Sequence, residues 1–153
     1  MGMLYMKRDG KPSVSITVPG EPVAQGRPRF AKRGGFVTAY DPPKSAKYKN
    51  TIQKELQPLI LNKDFNPFDG PCSLNLCIYR SIPKSFSRKK QTAAANGEIR
   101  PTTRPDTDNY IKGILDALNG IVVKDDSQIV NIVAQKFYSD TPRIEVVVSE
   151  LAE

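Results

Sequence analysis

Thr107-Asp108-Asn109-Tyr110-Ile111-Lys112-Gly113-Ile114-Leu115-Asp116-Ala117-Leu118-Asn119 is the most strongly patterned stretch of the chain. Ile111, Ile114, Leu115 and Leu118 fall at i, i+3, i+4 and i+7, which predicts a helix with one buried stripe. Asp108, Lys112 and Asp116 recur every four residues on another side, and Gly120 is a natural stop. Downstream, 129–138 and 143–148 alternate as two strands. Ser139-Asp140-Thr141-Pro142 joins them, most simply as an antiparallel hairpin. Upstream, 13–18 and 72–79 read as strands, and 44–57 as a helix with Tyr48, Ile52 and Leu56 at four-residue spacing, ended or kinked by Pro58. Gly34-Gly35 marks a turn before Phe36-Val37. Ser85 or Ser87 can cap a short basic helix that Asn96-Gly97 terminates, and prolines should extend 100–105. The sum is one small α+β domain over 13–153, with a largely antiparallel or mixed sheet packed by helices. Residues 1–12 stand apart as an N-terminal tail.

Composition narrows the chemistry. The 153 residues include no histidine, so no His-based triad or base exists. Two cysteines without histidine exclude the familiar zinc sites. Residues five apart on a strand face opposite sides, so Cys72 and Cys77 do not read as a disulfide framework, and Cys72 shares the apolar side with Leu74, Leu76 and Ile78. No run approaches a membrane span and the start lacks a signal core, so a cytoplasmic protein without membrane partners is expected. The net charge of +7 is unevenly spread. Residues 1–100 hold 18 Lys/Arg against 7 Asp/Glu, whereas 101–153 hold 5 against 9. A basic front with an acidic centre suits a protein that holds a polyanion around a cation, though two unrelated solvated surfaces would give the same count.

The acidic centre is dense. Asp106, Asp108, Asp116, Asp125 and Asp126 lie between Arg104 and Asp126. Carboxylates crowded this way need cations, protonation or separation. Mg²⁺ takes oxygen ligands, commonly one or two carboxylates with waters and substrate phosphate, and phosphodiester hydrolysis uses such ions. Asp106 and Asp108 at the helix entrance can aim at one cation. Asp125 and Asp126 would join them if the following strand packs beside the helix start. Each residue also has a plainer role: Asp106, Thr107 or Asp108 as helix cap, Asp108–Lys112 and Lys112–Asp116 as i,i+4 pairs, Asp125-Asp126 as a turn. An EF-hand loop counted from Asp106 fails, because Tyr110 and Ile111 occupy its fifth and sixth places. No Walker-type phosphate loop is present. Lys112, one turn past Asp108, could reach a substrate phosphate.

Arg104-Pro105-Asp106-Thr107-Asp108-Asn109-Tyr110-Ile111-Lys112, continuing through Asp116-Ala117-Leu118-Asn119-Gly120 to Lys124-Asp125-Asp126-Ser127-Gln128-Ile129, closely resembles the signature of RusA-type Holliday junction resolvases. Pro22-Val23-Ala24-Gln25-Gly26-Arg27-Pro28-Arg29, Ala39-Tyr40-Asp41-Pro42 and Ile82-Pro83-Lys84-Ser85-Phe86-Ser87 resemble that family's other motifs. The resemblance spans 13–148. It implies a homodimeric endonuclease of bacteria and their phages or prophages, acting in DNA recombination and repair. Such enzymes bind four-way junctions and, with Mg²⁺ (Mn²⁺ being the alternative ion), make paired symmetric nicks. Carried over, the essential aspartates are Asp106, Asp108 and Asp126, with Asp125 a lesser ligand and Lys112 the essential lysine. Phosphate contacts are expected from Arg27, Arg29, Lys32 and Arg33, from Lys84, Arg88, Lys89 and Lys90, and from Arg104. The rival expectations are a metal nuclease for other branched nucleic acids and a junction-binding protein without catalysis.

Overall fold

The computed structural model describes residues 3–8, 11–26, 29–40 and 42–151. Its main sheet has the order β1-β2-β7-β5-β6, built from β1 (Met3–Arg8), β2 (Lys11–Pro19), β5 (Cys72–Ser81), β6 (Ile129–Ser139) and β7 (Arg143–Glu150). Every pairing is antiparallel except β5 with β6. A parallel pair needs a long crossover, and here it carries α3 (Arg88–Ala95) and α4 (Thr107–Leu118). β3 (Arg29–Arg33) and β4 (Phe36–Tyr40) form a separate ribbon. Gly34 and Gly35 turn it with φ of 54° and 86°, as a tight hairpin requires.

Alternation along the strands makes one face of the sheet apolar. Val14, Ile16 and Val18 of β2, Leu74, Leu76 and Ile78 of β5, and Ile144, Val146 and Val148 of β7 are all buried. α1 (Pro43–Glu55) and α4 cover this face side by side. α1 starts on Pro43 and ends before Pro58, which sits in the first turn of the short α2 (Gln57–Ile60). The opposite face carries Ser13, Ser15 and Thr17 in β2 with Ser149, Val147 and Glu145 opposite them in β7, as a sheet packed on one side allows.

Three sequence expectations change. The strands 129–139 and 143–150 are not a hairpin, because β5 lies between them. β5 carries the most continuous apolar stripe, and a central place buries it from both edges, so residues 140–142 pass over its end. The leading segment is not simply a tail, since Met3–Arg8 pairs with β2. The buried side of α4 is Tyr110, Ile114, Ala117 and Leu118, with Ile111 and Leu115 only partly covered. That rotation follows from α1, which α4 meets along its flank.

Candidate active site

α4 runs antiparallel to β5 and β6, and its N-terminus is tied down by two cations on those strands. Lys136 donates from Nζ to the carbonyls of Thr103 and Pro105, both at 3.0 Å. Arg80 donates from Nη1 to the Thr103 hydroxyl at 3.2 Å. Residues 103–105 therefore bend, around a cis Arg104–Pro105 peptide, instead of running extended. Burial pushes the Lys136 pKa down, as does neighbouring Arg80, while the Asp106 carboxylate pulls it back up. Sequence reasoning passed over both cations, yet a signal existed. Lys136 follows Ile132 and Ala134 on the helix-covered face, and Arg80 extends the stripe of Leu74, Leu76 and Ile78. A charge on an apolar stripe needs a polar partner, and here the partner is the backbone that presents Asp106. Lys136→Met is expected to strip both carbonyls of a charged donor and destabilise the fold by about 1 kcal/mol. A thermal melt checks it; an unchanged midpoint would mean the turn holds without the lysine.

Asp106 occupies the N-cap position of α4, but its side chain makes no capping bond. Its carboxylate and that of Asp108, in the first turn, are exposed. The helix terminus gives both a favourable place for negative charge. Lys112 is also exposed, and among the described residues it forms no ion pair with Asp108 or Asp116. The capping and i,i+4 roles are thus unfilled for these side chains. Arg104, Pro105, Asp106 and Asn109 line an open depression of about 430 Å³. The segment 22–26 docks beside it: Gln25 N–H donates to the Asn109 carbonyl at 3.0 Å, and Gly26 N–H to the Ser45 hydroxyl at 2.8 Å. A Cβ on Gly26 would fall 2.8 Å from Pro42 Cγ, so this close approach requires glycine.

Asp125 and Asp126 lie elsewhere. After the turn at Gly120 the chain passes Phe68 and enters one 3₁₀ turn, Asp126–Gln128, leading into β6. Asp125 caps that turn. Its carboxylate accepts from the Ser127 N–H at 3.1 Å and from the Ser127 hydroxyl, and these bonds lower its pKa. Gln128 closes the box and ties it to the Phe68 and Gly70 carbonyls at 2.7 and 2.9 Å. Asp125 is therefore spent locally, whereas Asp126 makes no such bond. Ile129, beside Asp126, and Lys136, beside the Asp106 turn, are seven residues apart on β6, or about 23 Å. The 12 residues of α4 separate the same two ends by about 18 Å. Among the described residues of one chain, no three acidic or cysteine side chains gather closely enough to hold a metal. A larger cleft of about 660 Å³ includes Asp64, Asp69, Lys124 and Glu150, not the Asp106 group.

The basic residues favour the Asp106 end. Ser87 caps α3 through the Lys90 N–H at 3.2 Å, and α3 packs on β6. Lys84, Arg88, Lys89 and Lys90 are exposed there, with Lys90 4.0 Å over the Phe86 ring. Arg100 donates from Nε to the Lys136 carbonyl at 2.9 Å. Lys32 is exposed on the β3–β4 ribbon, where Phe30 and Phe36 are exposed as well. Arg27 and Asp41 lie outside the described residues, and Arg29 and Arg33 are described only by their places in β3.

Two comparisons bear on this arrangement. A curated Bacillus subtilis (strain 168) protein, described as uncharacterized protein YqaN, is 44% identical over 144 residues, covering 91% of this chain and 97% of that one. The family model described as Endodeoxyribonuclease RusA matches residues 19–149, a span holding the docked 22–26 segment, the α4 entrance and the Asp125-Asp126 turn. The chain belongs to the RusA endodeoxyribonuclease family.

Proposed function

We propose that this protein is a Mg²⁺-dependent endodeoxyribonuclease that resolves four-way DNA junctions by paired nicks, acting as a homodimer in recombination and repair in the cytoplasm. The observation that carries the reading is Asp106, which stands where a helix cap belongs while its carboxylate caps nothing. With Asp108 it forms an exposed pair of hard oxygen donors at a helix N-terminus, and no soft or imidazole ligand accompanies it. That donor set fits Mg²⁺, which binds through one or two carboxylates and completes its shell with water and substrate phosphate. Asp106 and Asp108 would hold the ion, with Asp126 as third carboxylate and Asp125 reduced to a structural cap. Bound there, it supplies Lewis-acid polarisation of the phosphate and activation of water.

The chain's own groups do the rest. Lys112 stands one turn beyond Asp108, free of the i,i+4 ion pairs, and can meet charge developing on the phosphate. A point-charge ammonium suits that task. Arg104 lines the depression beside Asp106, and Lys84, Arg88, Lys89 and Lys90 extend positive charge along α3 for neighbouring phosphates. Lys32, with Arg27, Arg29 and Arg33, supplies a second arm of phosphate contacts.

Strand-resolved cleavage of a synthetic four-way junction, with linear duplex as competitor, tests the reading. Paired nicks on opposed strands are expected with Mg²⁺ and none with EDTA. Junction binding without cleavage under Mg²⁺ or Mn²⁺ would make the protein a binding module. Preferential cutting of flaps or forks would make it a nuclease of other branched DNA.

A further inference from the structure

We infer that a second copy of this chain completes the site, pairing its β6 antiparallel against the free edge of this β6 and bringing its own Asp126 beside Asp106 and Asp108. This rests on the endonuclease reading above for the role of the aspartates. The surface itself rests on separate observations.

β6 is the last strand of the sheet, with β5 on one side and no strand on the other among the described residues. It is 11 residues long, and an edge of that length offers a row of backbone donors and acceptors to another strand. The Lys136 carbonyl points to this outer side, where Arg100 meets it. Alternation then turns the N–H and C=O groups of Val130, Ile132 and Ala134 outward too. Exposed edges are normally blunted by charge or proline. Residues 129–135 contain neither, in a chain of net charge +7. Instead Val130, Ile132 and Val133 are 62%, 40% and 47% exposed. Two copies can approach here without burying like charges.

Charge along the strand selects the direction. Its beginning follows Asp125 and Asp126, and its end lies among Lys136, Arg100 and Arg104. Antiparallel pairing sets the acidic end of each copy against the basic end of the other. Parallel pairing would oppose acid to acid. A two-fold axis at Asn131, Ile132 or Val133 places the second copy's Asp126 opposite Lys136, Tyr138 or Asp140, the end of β6 that anchors the Asp106 turn.

The division of carboxylates within one chain has the same resolution. Ligand oxygens on one Mg²⁺ lie within about 2.1 Å of it. Asp126 cannot share an ion with Asp106 of its own chain across about 23 Å of strand. The dyad supplies what the single chain separates, and it does so twice, giving two symmetric sites.

Subunit mixing decides the point. Asp106→Asn and Asp126→Asn chains with different tags are co-expressed, and the heterodimer is isolated and given a four-way junction and Mg²⁺. Across the interface, one site of the heterodimer keeps both aspartates and the other loses both. The heterodimer is expected to nick one strand at up to half the wild-type rate, while each parent homodimer is inactive. A heterodimer as inactive as its parents, beside an active wild type, overturns the inference. Light scattering gives an independent readout: the wild type is expected at twice the 17.0 kDa chain mass and Ile132→Lys at one. Should the wild type cut no DNA, the endonuclease reading fails, and mass alone judges the surface. A dimer lost in Ile132→Lys upholds it, and an unaltered dimer overturns it.

Discussion

Asp106→Asn is expected to lower junction nicking by at least about a hundredfold while leaving junction binding and thermal stability close to wild type. Changes to residues that merely support metal ligands already cost roughly 10–100-fold, so loss of a ligand charge should cost no less. The fold has little to lose. The Asp106 side chain makes no capping bond, asparagine caps as well as aspartate, and the Asp106 carbonyl still accepts from the Asn109 N–H at 3.1 Å. Binding is set by cations on α3, the ribbon and Arg104, none of which changes. Single-turnover nicking in Mg²⁺, gel shifts in EDTA and a thermal melt give three independent numbers. A melting point lowered in step with the nicking rate would return Asp106 to a structural role.

How far the sequence carried depends on the range of the interaction read. α4 was legible because its periodicity is local, and so were the Gly34-Gly35 turn and the Ser87 cap. The preference for Asp126 over Asp125 needed coordinates: both are aspartates in a turn, and only the Ser127 and Gln128 bonds show which is spent. The place of β5 was not legible either. A four-residue link between 129–139 and 143–150 permits a hairpin, and what forbids it is the better burial of Leu74, Leu76 and Ile78 at the centre, a property of the whole sheet. Topology also separates the aspartates. Their closeness in sequence suggested closeness in space, but a 12-residue helix lying antiparallel to β6 carries the two pairs to opposite ends of one strand. The same misplacement of β6 as an inner hairpin strand concealed its exposed edge.

Leu76→Ala is expected to be among the most damaging truncations in the molecule, at about 3 kcal/mol, in the middle of the range for buried leucines. Leu76 is 1% exposed, and its backbone pairs with Val146 on one side and Ala134 on the other. Helices close the face above it, so the cavity left behind cannot fill from solvent or collapse easily. Against a total stability of roughly 5–15 kcal/mol this is a large fraction. At about 2–4 °C per kcal/mol for a chain of this size, the melting midpoint should fall by roughly 10 °C. Asn75→Ala is the control: it is the adjacent residue on the same strand, exposed on the open face, and should change stability by no more than about 0.5 kcal/mol. The comparison isolates the apolar face from the strand's backbone ladder, which both variants keep. If the two losses were equal, β5 would be held by its ladder and not by the core. If Leu76→Ala alone is costly, the argument that puts β5 at the centre of the sheet stands, and with it the edge position of β6 and the carboxylates at either end of that strand.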